Sequence, residues 1–357
     1  MISAGGKIVI TENKMKDSET VELLRKLEAI HSPSGYTKDA IAFLADLFRE
    51  AGLSPKLTNK GALLICEHPE PVTVCAAHVD TLGAMVTKLE GDGTLRVTQV
   101  GGWPWNSFEG EYVTVMSSAG KKWRGTLLCD NPAAHVNRNI GKAERSGENM
   151  HIRLDAEVKS AAETKKLGVC AGDYVFFDPR FEVTDTGFVR SRFLDDKAGC
   201  AVLAAVILDS ASKLKKMPVA FFFSNYEEVG HGASAGIPHC VSEMIAVDMG
   251  VVGHNVYGHE TVVSICAKDS TGPHDYELRQ RLVALAKKKK IAHVVDVFPF
   301  YGSDAHATMG AGYDVKVAVI GPGVSASHGV ERTHVKGLRA TVQLVEAYLA
   351  DICSRRK

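Results

Sequence analysis

The chain has 357 residues, 45% of them apolar, and its 42 Lys and Arg balance its 42 Asp and Glu. That length supports two domains, or one domain carrying a sizeable insertion. The charge balance excludes a global field that would draw in nucleic acid or an anionic membrane. The eight cysteines form no C-x-x-C pair, and several sit inside apolar runs, as Cys75 does in PVTVCAAH. This argues against a disulfide framework or a zinc-thiolate site and favours a reducing compartment. The opening MISAGGKIVITENK has too short an apolar stretch for a signal peptide, and no later segment approaches about 18 uncharged apolar residues. A soluble cytoplasmic protein is the expectation.

Helical periodicity comes first. Residues 18–30 place Val21, Leu23, Leu24, Leu27 and Ile30 on one face, and 38–51 do so with Ile41, Leu44, Leu47 and Phe48. HSPSGY between them is turn chemistry. Short apolar runs at 62–66 and 72–77 read as buried strands, so a layered α/β domain begins here. From 88 to 183 the pattern changes to short alternating runs (TLRVTQV, EYVTVMS, DYVFFDP) split by glycine turns, with one helical piece at 161–167. This reads as a small β-rich barrel or sandwich. The α/β rhythm then returns: helix 195–210, strands 218–224 and 244–248, helix 275–289, strands 293–298 and 315–320, and a closing helix 337–354. Lysines 287–290 read as a helix C-terminus that complements the helix dipole. The expected organisation is a catalytic domain, 1–87 with 184–357, interrupted by an inserted β domain at 88–183.

Five places carry His, Asp or Glu at an apolar strand's end or the start of the next element, the edge where open α/β sheets bind ligands. In VTVCAAHVDT, His78 and Asp80 share a face, and a carboxylate beside imidazole can hold its tautomer; an isolated H-x-D also occurs structurally. Asp195 and Asp196 precede a small-residue helix, where they could equally be an N-cap with first-turn charge. VAFFFSNYEEVG delivers Glu227 and Glu228 side by side, which repulsion and desolvation oppose unless they sit in water or have work to do. MIAVDMG ends in Asp248, and GPGVSASHGVERTH offers His328 and His334. Two or three carboxylates and two histidines on one crevice suit paired divalent ions such as zinc, cobalt or manganese. One carboxylate would bridge them, offsetting repulsion between cations about 3.5 Å apart.

Over nearly its whole length the sequence resembles the M42 family of metallopeptidases, the glutamyl-aminopeptidase and tetrahedral-aminopeptidase group of the zinc-exopeptidase fold. The resemblance is carried by HSPSGYTKDAIAFL, AAHVDTLGAMVT, LRVTQVGGWPWNSFEGEYVTV, SAAETKKLGVCAGDYVFFDPRFE, FLDDKAGC, YEEVG, AVDMG and YGSDAHA, in family order. It implies a mixed α/β sheet sandwiched by helices, with an inserted small β-barrel domain for oligomerisation and access. It also implies two divalent metal ions per chain, held by His78, Asp195 (bridging), Glu228, Asp248 and His328. Asp80 would orient His78, Asp196 would follow as a non-ligand, and Glu227 would be the general base. Asp304 matches a family acid near the substrate and has no assigned step. Two departures stand out. SASHGVERTH replaces the family's Arg-Tyr-x-His-Ser-x-x-Glu, leaving His334 as a rival to His328, and Thr81 stands where the family has Glu. HGVERTH is similar to a side branch linked with dipeptide osmolytes.

The implied function is a two-metal aminopeptidase acting on short peptides, built from dimers into an oligomer that could reach a dodecamer. The alternatives are a metal-dependent deacylase or dipeptidase acting on an N-acylated or amidated dipeptide, and a non-catalytic scaffold on the same fold. A glycosidase using Glu227 and Glu228 would need acids facing each other across a sugar, about 5 Å or more apart, and would leave the histidines unexplained.

Overall fold

The computed structural model describes residues 14–355; the reading of the first thirteen residues lies outside them. At its centre four parallel strands lie side by side in the order Val219–Ser224, Thr73–His78, Glu243–Val247 and Lys316–Ser325. Their cores, VCAA, AFFF, MIAV and VAVI, are almost wholly buried, as parallel strands covered on both faces must be. Antiparallel strands extend the sheet on both sides, among them Leu63–Ile65 against Val219–Ser224 and Val263–Asp269 against Lys316–Ser325.

The helix Leu194–Ser210 packs on the Thr73–His78 strand and on the helices Asp17–Glu28 and Val335–Ser354. It is buried without a break from Leu194 to Leu208, and its small residues allow the close approach. A Cβ on Gly199 would run into the Val247 carbonyl and the Asp196 carboxylate. The helix Lys38–Glu50 reaches the sheet through Phe48, whose ring centre lies 5.4 Å from that of Phe223.

The expected β-rich middle is a closed six-stranded barrel. Around it run Gly83–Leu89, Leu95–Val100, Met150–Leu154, Lys122–Cys129, Tyr112–Met116 and Tyr174–Phe177. Alternate residues such as Val113 and Val115, with Val86, Leu127, Ile152 and Val175, fill the interior. Arg192 ties the barrel to the sheet domain. Its buried guanidinium lies 4.1 Å over Phe108 and donates to the carbonyls of Ser107 (2.7 Å) and Gly329 (3.1 Å).

Some elements differ from the sequence reading. The strand expected at 315–320 runs on to Ser325 through Gly321, Pro322 and Gly323, where Pro322 pairs with Val263. Turn-like composition hid it, but Gly321 is there because the Asp248 carbonyl occupies the space a Cβ would need. The strands Val263–Asp269 and Glu331–His334 and the short helix Asp304–Gly310 were not anticipated. Among the described residues no helix is long and apolar enough to cross a membrane.

Candidate metal centre

The four parallel strands point the same way, so their C-terminal ends share one edge of the sheet. Each delivers a polar residue there. The first ends at His78, level with Ser224 of its neighbour, which leads through Asn225 and Tyr226 into Glu227 and Glu228. The next two lead into Asp248 and, beyond Ser325, into His328. Tyr226 and His328 take left-handed backbone conformations (φ 70° and 62°), turning the chain sharply where it leaves the sheet. Asp195 enters from the start of the buried helix, joined to Asp196 by a cis peptide.

Asp195 lies between the two histidines. Its Oδ1 is 3.1 Å from His78 Nε2, and its Oδ2 is 3.4 Å from His328 Nε2. His328 Nε2 is also 3.6 Å from Glu228 Oε2, and His78 Nε2 is 3.6 Å from Glu227 Oε2. Ligand atoms of His78, Asp195 and Asp248 all lie within 4.8 Å of one another. His334, the alternative to His328, is elsewhere: it caps the helix Val335–Ser354 through Lys336 N–H and faces the Thr186 carbonyl and the Phe188 ring.

Both site histidines are held by backbone carbonyls at Nδ1, which fixes the proton there and turns Nε2 toward the acids. His78 Nδ1–H donates to the Asp80 carbonyl at 2.8 Å, and His328 Nδ1–H donates to the Gly102 carbonyl on a barrel loop. The expected support of His78 by the Asp80 carboxylate takes a different form, since that carboxylate is 3.9 Å from Nδ1. It accepts instead from Ser34 Oγ–H (2.5 Å) and from the backbone N–H groups of Glu227 (3.1 Å) and Glu228 (3.3 Å). Asp80 thus orients the ring with its backbone and the glutamate turn with its side chain.

Three further acids act as struts. Asp196 is fully buried and accepts from the N–H groups of His78 and Gly199 at 3.3 and 3.0 Å. Asp304 accepts from Ser224 Oγ–H (2.7 Å) and Ala233 N–H (2.8 Å), bracing the end of the Val219–Ser224 strand. Glu331, which the sequence reading missed, accepts from Asp195 N–H (3.0 Å) and His328 N–H (2.9 Å). A single glutamate among the polar residues of VERTH carries no local signal of that role.

Burial and the crowding of acids dominate the electrostatics. Burial pushes Glu227 up to about 8 and raises Glu228 and Asp248 well above the carboxylate range, with neighbouring acids adding to the effect. Burial works against Asp195 too, but hydrogen bonds with His328 and His78 more than offset it and hold that carboxyl low. Burial opposes the charged histidines, yet the surrounding acids lift His78 well above its usual range and His328 to about 10. Glu228 Oε1 is buried with no hydrogen-bond partner. An acceptor so placed needs a cation or a proton. Oxygen and imidazole donors facing one another, with no thiolate among them, fit borderline divalent ions.

The centre opens into a cleft of about 630 Å³, lined by Trp103 and Pro104 of the barrel loop and by residues 300–303, His306 and Ala307.

The family profile described as M42 glutamyl aminopeptidase matches residues 61–344. A Bacillus subtilis (strain 168) protein named "Putative aminopeptidase YhfE" is 42% identical over 93% of this chain and 97% of its own length. Among solved structures, a TET aminopeptidase from a marine-sediment Thaumarchaeota archaeon superposes with a TM-score of 0.82 at 18% identity, covering 95% of this chain and all of its own. The Pyrococcus horikoshii TET1 peptidase, described as assembling into a tetrahedron or a large octahedral shell, gives 0.81 at 24% identity over 92% and 98%.

Proposed function

The chain belongs to the M42 glutamyl aminopeptidase family, and from that premise we propose that it removes N-terminal residues from short peptides at a paired divalent-metal centre. The observation that carries the two-metal reading is Asp195, which turns one carboxylate oxygen toward each of two histidines, one ending a strand and one on the turn beyond another. His78 and Asp248 would hold one ion, His328 and Glu228 the other, and Asp195 would bridge them. Such a pair, when bound, polarises the scissile carbonyl and makes water a nucleophile at neutral pH.

The rest is the work of this chain's own side chains. Glu227 is the general base. It stands beside His78 yet outside the proposed ligand set, and burial lifts it to about 8, where it can accept a proton from the attacking water and pass it to the leaving amine. Asp80 keeps Glu227 in place through its backbone N–H. The carbonyls of Asp80 and Gly102 keep both imidazoles in the tautomer that offers Nε2.

The resident ions in this reading are zinc, cobalt or manganese. The catalytic unit is the expected 1–87 with 184–357, less the barrel's first strand Gly83–Leu89, and the inserted barrel serves assembly and access. Homo-oligomers, up to the tetrahedral particles described for the Pyrococcus horikoshii relative, are the expected state.

The test is turnover of a panel of free and N-acetylated peptides before and after chelation, with Glu227→Gln alongside. Free peptides should be cut only by metal-loaded protein. Glu227→Gln should keep its metal and lose roughly 10²–10⁴-fold in rate. Turnover of N-blocked substrates alone would replace the aminopeptidase reading with that of a deacylase, and an active Glu227→Gln would remove the base assignment.

A further inference from the structure

Beyond the metal centre the large side chains lining the cleft wall are apolar or aromatic, with Ser303, His306 and Ser327 its polar members. Trp103 spends its indole N–H on the Gly83 carbonyl (2.8 Å), and Tyr301 spends its hydroxyl on the Met249 carbonyl (3.0 Å). Both therefore line the cleft with no free polar handle, next to Met249, Val251 and the fully exposed Phe300. Among the described residues no Lys or Arg lines it. Lys60 is near enough to feel Asp304 and Asp80, but its ammonium is committed to the carbonyls of His231 (3.0 Å) and Gly232 (2.7 Å) and to Ser234 Oγ (2.9 Å).

Charge points the same way. The four acids lining the cleft, Asp195, Glu227, Glu228 and Asp248, carry as much negative charge as two divalent ions carry positive. With Asp80, Asp196, Asp304 and Glu331 buried behind them, a loaded centre has no surplus positive charge to hold an acidic substrate side chain. An acidic one would be stripped of water beside carboxylates that already match the ions' charge, with no Lys or Arg to pair with, which is strongly unfavourable. An apolar one would gain by leaving water.

We infer that the substrate's first side chain is apolar, of the leucine, methionine or phenylalanine class, and lies against this wall, so that this member of a family described as glutamyl aminopeptidases disfavours glutamate. This rests on the aminopeptidase reading above. His306 offers a way to test it separately, because it lines the same cleft, is exposed and has no hydrogen-bond or ion-pair partner. Its side chain is exposed and outside the proposed ligand set, so His306→Arg should fold and load metal as the wild type does, which metal analysis and thermal unfolding check.

The experiment compares kcat/KM of the metal-loaded full chain on X-Ala-Ala tripeptides with X as Leu, Phe, Glu or Lys, with N-acetyl-Leu-Ala-Ala as control. Calorimetric binding of free leucine and glutamate is measured in parallel. Leu and Phe should exceed Glu by about 10²-fold or more, a discrimination typical of a pocket that cannot pair a polar group. Free leucine should bind more tightly than glutamate. His306→Arg should raise the Glu-to-Leu ratio about tenfold by supplying the missing cation, a factor worth about 1.4 kcal/mol. Glutamate cut as fast as leucine, or a ratio unmoved in His306→Arg, would overturn this inference while leaving the aminopeptidase reading intact. Cleavage of the acetylated control alone would instead overturn that reading.

Discussion

Glu331 is the residue whose removal best tests how the centre is held. It does not line the cleft, yet its two oxygens accept from Asp195 N–H at 3.0 Å and His328 N–H at 2.9 Å. One buried side chain therefore sets the backbone of both Asp195 and His328. Hydrogen bonds to a charged group contribute about 1.5–3 kcal/mol each. Part of that is offset by the cost of burying the carboxyl, a cost visible in its rise to about 8. Glu331→Gln keeps one acceptor and turns an amide N–H₂ toward the other backbone donor, leaving a buried N–H unsatisfied at about 1–3 kcal/mol. If that energy is felt at the ligands, affinity for one ion should fall about 10–100-fold, the usual effect of losing a supporting hydrogen bond. Metal content would be measured against a series of metal buffers, and stability of the metal-free protein by urea unfolding. Glu331→Gln that loses stability but binds both ions as tightly as wild type would refute the argument, because Glu331 would then support the fold and not the ligands.

Three other outcomes follow from the structure. Divalent ions should bind with proton release at pH 7, because the proposed ligands His78, His328, Glu228 and Asp248 all have raised pKa values and ligands must be deprotonated. Titration calorimetry in buffers of differing ionisation enthalpy measures this release, and affinity should weaken as pH falls. Gly199→Ala should destabilise the protein by about 1–3 kcal/mol and weaken metal binding, since its Cβ would press on the Val247 carbonyl and the Asp196 carboxylate; unchanged thermal unfolding would contradict it. The buried pair Asp269–His274 (3.2 Å) should stabilise the fold over a defined pH window. Burial opposes both charges, but their mutual hydrogen bond lifts His274 to about 10 and holds Asp269 at about 2. His274 is raised, so its contribution is full below pH 6.5 and lost as pH climbs through about 10. Asp269 is depressed, so its contribution is full above pH 3.8 and lost as pH falls through about 2. The stability gap between wild type and His274→Gln, read by urea unfolding, should therefore be widest between these limits.

Periodicity alone located the helices Asp17–Glu28, Lys38–Glu50, Tyr276–Lys289 and Val335–Ser354 to within a few residues, because an amphipathic stripe or a lysine-rich end is a local property. The same holds for AFFFS and MIAV, whose unbroken apolar runs admit only strands buried on both faces. Acids and histidines placed just past such runs were legible as a set for the same reason. Strand pairing was not legible. Lys316–Ser325 hides in glycine and proline, and its length is decided by Asp248 and Val263, which lie far away along the chain. Partner assignments were equally out of reach. That Asp80 supports His78 by its carbonyl, that Glu331 spans Asp195 and His328, and that a barrel loop supplies the carbonyl for His328 are contacts between segments remote in sequence. The choice between His328 and His334 illustrates the division. Six residues apart and chemically alike, they differ only in that one sits on a left-handed turn at the sheet's edge, while the other is committed to a helix N-terminus. The amino-acid pattern therefore determined which kinds of side chain crowd the sheet's edge, and the tertiary structure decided which of them meet, because hydrogen-bond reach is set by packing and not by position along the chain.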